Sequence, residues 1–222
     1  MKRTAVAILL AATAMVVFAA SPARTAPQPS DSPVSWELDI TLDAPRAIDV
    51  VLPGQTTAQR FWFLRYTVTN RTDEDRIFVP DSVLYTDTGQ VLRGGSRVPS
   101  AVFRAIQQLY NDPLLQDMSG MTGKILQGED NAKDGVAIWT DFDPKAGAFD
   151  IFMGGLSGET AEIKLPKPIQ VVEIDAKGNE KLVEKESVIL SKTMHLSYSI
   201  PGEAAVRSHT EPKLLRQEWV MR

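Results

Sequence analysis

Three aspartates and a glycine between residues 130 and 141 stand at the spacing of a calcium-binding loop. Asp130, Asp134, Gly135 and Asp141 occupy positions 1, 5, 6 and 12 of a twelve-residue stretch, where Ca2+ gathers carboxylate oxygens around a sharp glycine turn. Ala132 falls on a ligand position, and position 12 is Asp where a bidentate Glu is usual. Val136 to Trp139 also reads as a strand, whereas such a loop is flanked by helices. A solvated polar turn is the stronger expectation. No cofactor is expected; calcium is the one this loop leaves open, and calcium or copper is what the metal-binding alternative would use.

Other chemistries have fewer residues to work with. Met118, Met121, Met194 and His195 are soft ligands of the kind Cu(I) takes, but they form no tight His/Met signature. A Ser-His-Asp triad needs a positioned base. His195 alternates with Met194 and Leu196 as if facing solvent, and His209 lies in a polar tail. Gly155-Leu-Ser157-Gly158 lacks the spacing of a nucleophile elbow. Asp141 and Asp143 are acids of the kind glycoside hydrolysis uses, yet paired acids are unremarkable in a chain with 28 Asp and Glu. No catalytic residue is expected.

Aromatic and methionine side chains are the remaining candidates. Trp62 lies between Phe61 and Phe63, so in a strand it projects to the face opposite them. Covered by a helix or loop it belongs to the core; uncovered, it meets a partner. With Phe103, Met118 and Met121 it makes up the candidate partner-binding set.

The elements that must position these residues are mostly strands. Trp36, Leu38, Ile40 and Leu42 alternate at period two, as do Phe61, Phe63, Tyr66 and Val68 after a shift. Ile77 to Tyr85 reads as a third strand interrupted by Pro80. Further strands are expected at 136–142, 149–153 and 161–165. A hairpin should pair 169–174 with 182–190, and 194–200 should continue or follow it. Residues 214–221 fit either a last strand or an ordered tail. One segment breaks the pattern: Val102, Phe103, Ile106, Leu109 and Tyr110 recur at helical spacing after Ser100, a capping type, and Asn111-Asp112-Pro113 stops them. Eight or more short strands, one helix and no βαβ alternation predict an all-β, immunoglobulin-like β-sandwich with one inserted amphipathic helix at about 100–111.

The N-terminus has the three parts of an export leader: Lys2 and Arg3, an apolar run from Ala5 to Ala20, and small residues beyond it. Residues 1–20 are read as a signal peptide cut between 19 and 26, 21–33 as a disordered Pro-rich linker, 34–200 as the sandwich and 201–222 as a tail, possibly packed on it. The chain has no cysteine, which excludes a lipidated N-terminal Cys, thiolate metal sites and thiol catalysis. Its formal charge is −4, and residues 1–26 carry three of the positives and no acid, so the exported part stands at −7. An acidic surface disfavours nucleic acid, whose binding rests on Lys and Arg neutralising phosphates. No later stretch is long enough to span a bilayer.

Tyr66-Thr-Val-Thr-Asn70, Val83-Leu-Tyr-Thr-Asp-Thr-Gly89 and Leu126-Gln-Gly-Glu129 leading into Gly135-Val-Ala-Ile-Trp139 resemble the immunoglobulin-like domains of exported bacterial proteins of the DUF4352 type. Leu92-Arg-Gly-Gly95, Gly120-Met-Thr-Gly-Lys124 and Asp141-Phe-Asp-Pro-Lys-Ala-Gly147 are similar to segments of uncharacterised exported proteins of planctomycete-type bacteria. The resemblance implies a fold and a periplasmic or extracellular address, and it carries no catalytic residue across. The expectation is a non-catalytic exported module whose partner is an envelope or extracellular protein or glycan, with the inserted segment Arg97–Gly123 as its most distinctive surface; the alternative is a metal-binding accessory protein or enzyme using the acidic loop 129–143.

Overall fold

Alternation along one long strand organises the molecule. In β3 (Ala58–Thr69), Trp62, Leu64, Tyr66 and Val68 face one way and Phe61 and Phe63 the other, and all six are buried. A strand buried on both faces needs a layer on each side. The computed structural model supplies both; it describes residues 26–222 apart from 176, 177, 204–206, 208 and 209. The expected leader, most of its cut region, the start of the linker and His209 lie outside the described residues.

The first sheet is built on β3. β9 (Lys133–Thr140) pairs antiparallel along one edge, placing Trp139 opposite Trp62, Ala137 opposite Leu64 and Gly135 opposite Tyr66. β1 (Asp39–Leu42) and β2 (Arg46–Val51) pair with the other edge, and β7 (Gln116–Asp117) runs parallel to β9. The second sheet contains β5 (Asp81–Thr86), β6 (Val91–Arg93), β10 (Ala148–Gly154), β11 (Thr160–Ile174), β12 (Glu180–Ser199) and β13 (Lys213–Met221). β4 (Arg76–Phe78) and β8 (Gly123–Ile125) form a separate two-stranded sheet.

Between the two large sheets, Trp62, Leu64, Tyr66 and Trp139 meet Leu84, Phe149, Ile151, Leu196 and Tyr198. Ring stacking of Trp62 on Phe142 (4.9 Å) and Phe149 on Tyr198 (5.3 Å) adds to the area they bury. The outer face of the first sheet carries Phe61, Phe63, Val136 and Ile138, and α1 (Ser100–Tyr110) covers it with Val102 and Ile106. The molecule is thus the expected all-β sandwich with a short inserted helix, and that helix forms a third layer.

Several local expectations change. Ser100 is already helical and the N-cap is Pro99, whose side chain makes no cap bond; its carbonyl accepts the Val102 N–H at 2.9 Å. Pro80 does not merely bulge the third strand but divides it into β4 and β5. The stretch after Leu114 holds β7 and a one-turn helix, α2 (Met118–Met121). Residues 214–221 are a strand, with Trp219 opposite Met194, so the C-terminal segment is part of the second sheet.

β12 is uneven along its length. From Met194 to Ser199 it is flanked by β13 and β10, at Lys192 and Thr193 it pairs with β13, and from Glu180 to Ser191 it pairs with β11. Between Glu159 and Lys192 no described residue is buried. This half is a two-stranded ribbon, about 36 Å along β12 at strand rise. Pairing in it breaks between Lys164 and Ile169, where five steps along β11 match two along β12, from Ser187 to Lys185. Pro166 and Pro168, which have no N–H to give to a ladder, sit inside that break.

Candidate functional site

Two of the candidate contact residues come together beside α1. Phe103, from its first turns, and Met118, from α2, line a groove of about 210 Å3 whose floor is Val136 and Ile138 of β9. The local sequence explains the placement. Pro99 starts the helix, Asn111 ends it in the left-handed region (φ 49°), and the amphipathic stripe sets Val102 and Ile106 inward, leaving Phe103 at the edge. Asp117 accepts the Gly120 N–H at 2.8 Å and so caps α2. The Met118 sulfur accepts from the Ser82 hydroxyl at 3.3 Å, which fixes the thioether at the groove wall. A Cβ on Gly94 would lie 2.0 Å from the Ser82 oxygen and 2.7 Å from that sulfur, so the contact requires glycine. Leu109 and Leu114 stand exposed on the same inserted segment. Chemically the groove mixes apolar side chains with the Ser100 and Ser119 hydroxyls and the Asp117 carboxylate, a setting for an amphipathic side chain of a partner.

The other two contact candidates are interior. Trp62 is 3% exposed: it stacks on Phe142 and donates its indole N–H to Asp141 at 3.0 Å. Its cover is the chain following β9, while α1 lies on the opposite, Phe61/Phe63 face. Met121 is fully buried against Gly135, where a Cβ would come within 2.9 Å of its Cγ. Both side chains are thus buried, although Trp62 borders two surface pockets.

The aspartates expected at calcium spacing are pulled apart. Asp130 sits in a 3-10 turn (Glu129–Asn131), Asp134 accepts from the Thr67 hydroxyl, and Asp141 holds Trp62. From Asp134 to Asp141 the chain is strand for nearly its whole course, roughly 23 Å. One ion cannot span that distance. Among the described residues no three His, Asp or Glu side chains are gathered for a metal. Asp143, the other acid considered, accepts the Lys145 N–H at 2.8 Å and shapes a turn.

Two charged clusters are not foreseen by spacing. On the outer face of the second sheet the His195 ring lies between Asp150 (Nε2 to carboxylate, 2.9 Å) and Glu218 (Nδ1 to carboxylate, 3.2 Å) and stacks on Phe152 at 4.6 Å. A protonated ring donates to both acids. With both nitrogens so engaged, the imidazole ties β10, β12 and β13 together, and no hydroxyl is its partner. Burial pushes the Glu218 carboxyl up, but bonds from His195 and Arg216 outweigh it and hold its pKa below the usual value. The partners lie 45 and 23 residues away in sequence, a distance at which no motif is visible.

The second cluster closes the root of the ribbon. The Lys192 ammonium, 2% exposed, lies 3.0 Å from Glu37, 3.3 Å from Glu159 and 3.1 Å from the Ser30 carbonyl, with the Trp219 ring 5.2 Å away. Ser30 also donates its N–H to Glu159 at 2.8 Å. The expected free linker is therefore fastened at Ser30, because a buried lysine needs oxygens around it. That Ser30 bond is the chief reason the Glu159 carboxyl lies below its usual pKa. Burial lowers the Lys192 pKa, but Glu37 and Glu159 outweigh it, and the net shift is upward.

No helix among the described residues is long and apolar enough to cross a membrane. Compared with protein-family models, curated proteins and solved structures, the chain has no match in any of the three.

Proposed function

We propose that this chain is an exported, non-catalytic immunoglobulin-like module that binds or supports another component of the cell envelope or extracellular space, an envelope protein foremost. The observation that carries the reading is the groove between α1 and α2, in which Phe103 and Met118 present apolar surface at the rim of the inserted segment that holds both helices. Rigid scaffolds commonly display their binding residues on such insertions. The leader at residues 1–20 and the likeness to exported DUF4352-type domains support the address. The acidic balance supports a protein or glycan partner over nucleic acid.

The test is photo-crosslinking from position 119, an exposed residue of the groove lining, in the envelope fraction of the source cell. Phe103→Asp with Met118→Asp should retain the wild-type circular dichroism, melt at a somewhat lower temperature because both side chains pack partly buried against the core clusters, and lose the crosslinked partner. Retention of the same partner by the folded double variant sinks the proposal.

A further inference from the structure

The ribbon offers a second surface, independent of the groove. Its pairing sorts its side chains onto two faces, since residues opposite one another in an antiparallel ladder share a side. One face carries Leu190, Val188, Glu186, Glu184, Leu182 and Glu180 of β12 with Ala161, Ile163, Gln170, Val172 and Ile174 of β11. The other carries Lys185, Lys181 and Lys164 with Glu162 and Glu173, alongside Ile169, Val171, Val183 and Ile189, and there Lys185 pairs with Glu173 at 2.7 Å, so the faces differ in charge and not in having apolar side chains. The first face thus has three acids and no base. Glu180, Glu184 and Glu186 are exposed and have no ion-pair partner among the described residues.

That acidic face is the continuation of the core. Along β12 the same alternation runs through Met194, Leu196 and Tyr198, which are buried against the first sheet. Beyond Lys192 the first sheet ends and the face continues without an opposing layer. Val172, directly opposite Leu182, is 58% exposed, Leu182 65% and Ile174 72%. Large apolar side chains grouped this way on a projecting ribbon mark an interaction surface. A second copy of the chain is a poor occupant: packing the two faces together sets three glutamates against three more.

We infer that this face of the β11–β12 ribbon receives a basic, apolar segment of another protein, laid on as the missing opposing layer. Valine- or leucine-type side chains of the segment meet Leu182, Val172 and Ile174, and its lysines or arginines meet Glu180, Glu184 and Glu186.

The probe is a short synthetic peptide alternating lysine and valine, titrated calorimetrically into the full exported chain, with a glutamate-valine peptide as control. Binding of the lysine peptide alone is expected, weakening as salt rises. Glu180→Gln with Glu184→Gln and Glu186→Gln should weaken it about tenfold, as should Val172→Ser with Leu182→Ser. Phe103→Asp should leave it unchanged, which separates this surface from the groove. Thermal melting within about 2 °C of wild type establishes that each variant folds. Equal binding by the glutamine variant, equal binding of the glutamate peptide, no binding at all, or a concentration-dependent dimer in sedimentation would each overturn the inference.

Discussion

The two halves of β12 have similar apolar alternation and opposite fates. From Met194 to Tyr198 every second residue is buried beneath the first sheet, while Leu182, Val188 and Leu190, in the same phase, stand in a ribbon with no buried residue. Strand pattern alone therefore does not decide burial; the opposing layer does. A two-stranded hairpin alone in water is marginal at best, so the ribbon borrows its order from the body. Lys192 marks the frontier. On one side of it apolar pairs lock the sheets; on the other, the charges of Glu37 and Glu159 close the end of the core.

The largest effect should come from the buried half's opposing layer. Trp139 is fully buried, and Trp139→Ala should lower unfolding free energy by about 3–5 kcal/mol in urea denaturation. A loss below about 1 kcal/mol would mean that the sheets are not packed as described. Next comes the frontier. Lys192→Met should reduce Tm on the order of 5 °C at neutral pH, by stranding two carboxylates and releasing Ser30. Its pH profile has a definite sign. The stabilisation from Glu159 is present above the ordinary carboxylate value and is lost as pH falls through its lowered folded value. That from Lys192 is present below the ordinary lysine value and is lost as pH rises through its raised one. The gap between wild type and variant should be widest near neutrality and close toward both extremes; a gap that widens in acid contradicts the tie.

Smaller effects probe the ribbon. Joining Lys164 to Ser187, its pairing partner, through an Asn-Gly turn removes the distal ribbon, and the remaining body should melt within about 3 °C of wild type. Loss of cooperative melting would show that the body leans on the ribbon instead. Leu182→Ala should change unfolding free energy by no more than about 0.5 kcal/mol, as exposed substitutions do. A cost near that of Trp139→Ala would erase the contrast between the halves.

Much of this architecture is legible in residue types. The period-two runs, the helical spacing from Val102 to Tyr110 and the hairpin across residues 175–180 all state their geometry locally, and all are found. Trp62 was correctly set opposite Phe61 and Phe63, but which face the helix would cover depends on packing that no spacing encodes. β2 escapes notice because Arg46-Ala-Ile-Asp-Val-Val51 carries a charge inside its apolar run and only one clean alternation. The calcium spacing misled for a related reason: Asp130 and Asp141 are close in a loop and far apart along a strand, and β-branched and aromatic residues between them decided for the strand. Of the four contact candidates, only Phe103 lies on the amphipathic segment whose spacing is legible. Met121 was not separable from Met118 by sequence, since the glycine that makes room for it, Gly135, lies on another strand.

The break at Pro166 and Pro168 has an evolutionary consequence. Five steps of β11 against two of β12 differ by an odd number, so the break reverses the phase of β11 while β12 keeps its own. That reversal is what brings Val172 and Ile174 to the same side as Leu182. Lineages that lose or gain one residue there would turn the distal β11 side chains over and scatter the apolar row, whereas changes of two would preserve it. Length variation in this stretch should therefore be inherited in even steps wherever the ribbon's function is kept.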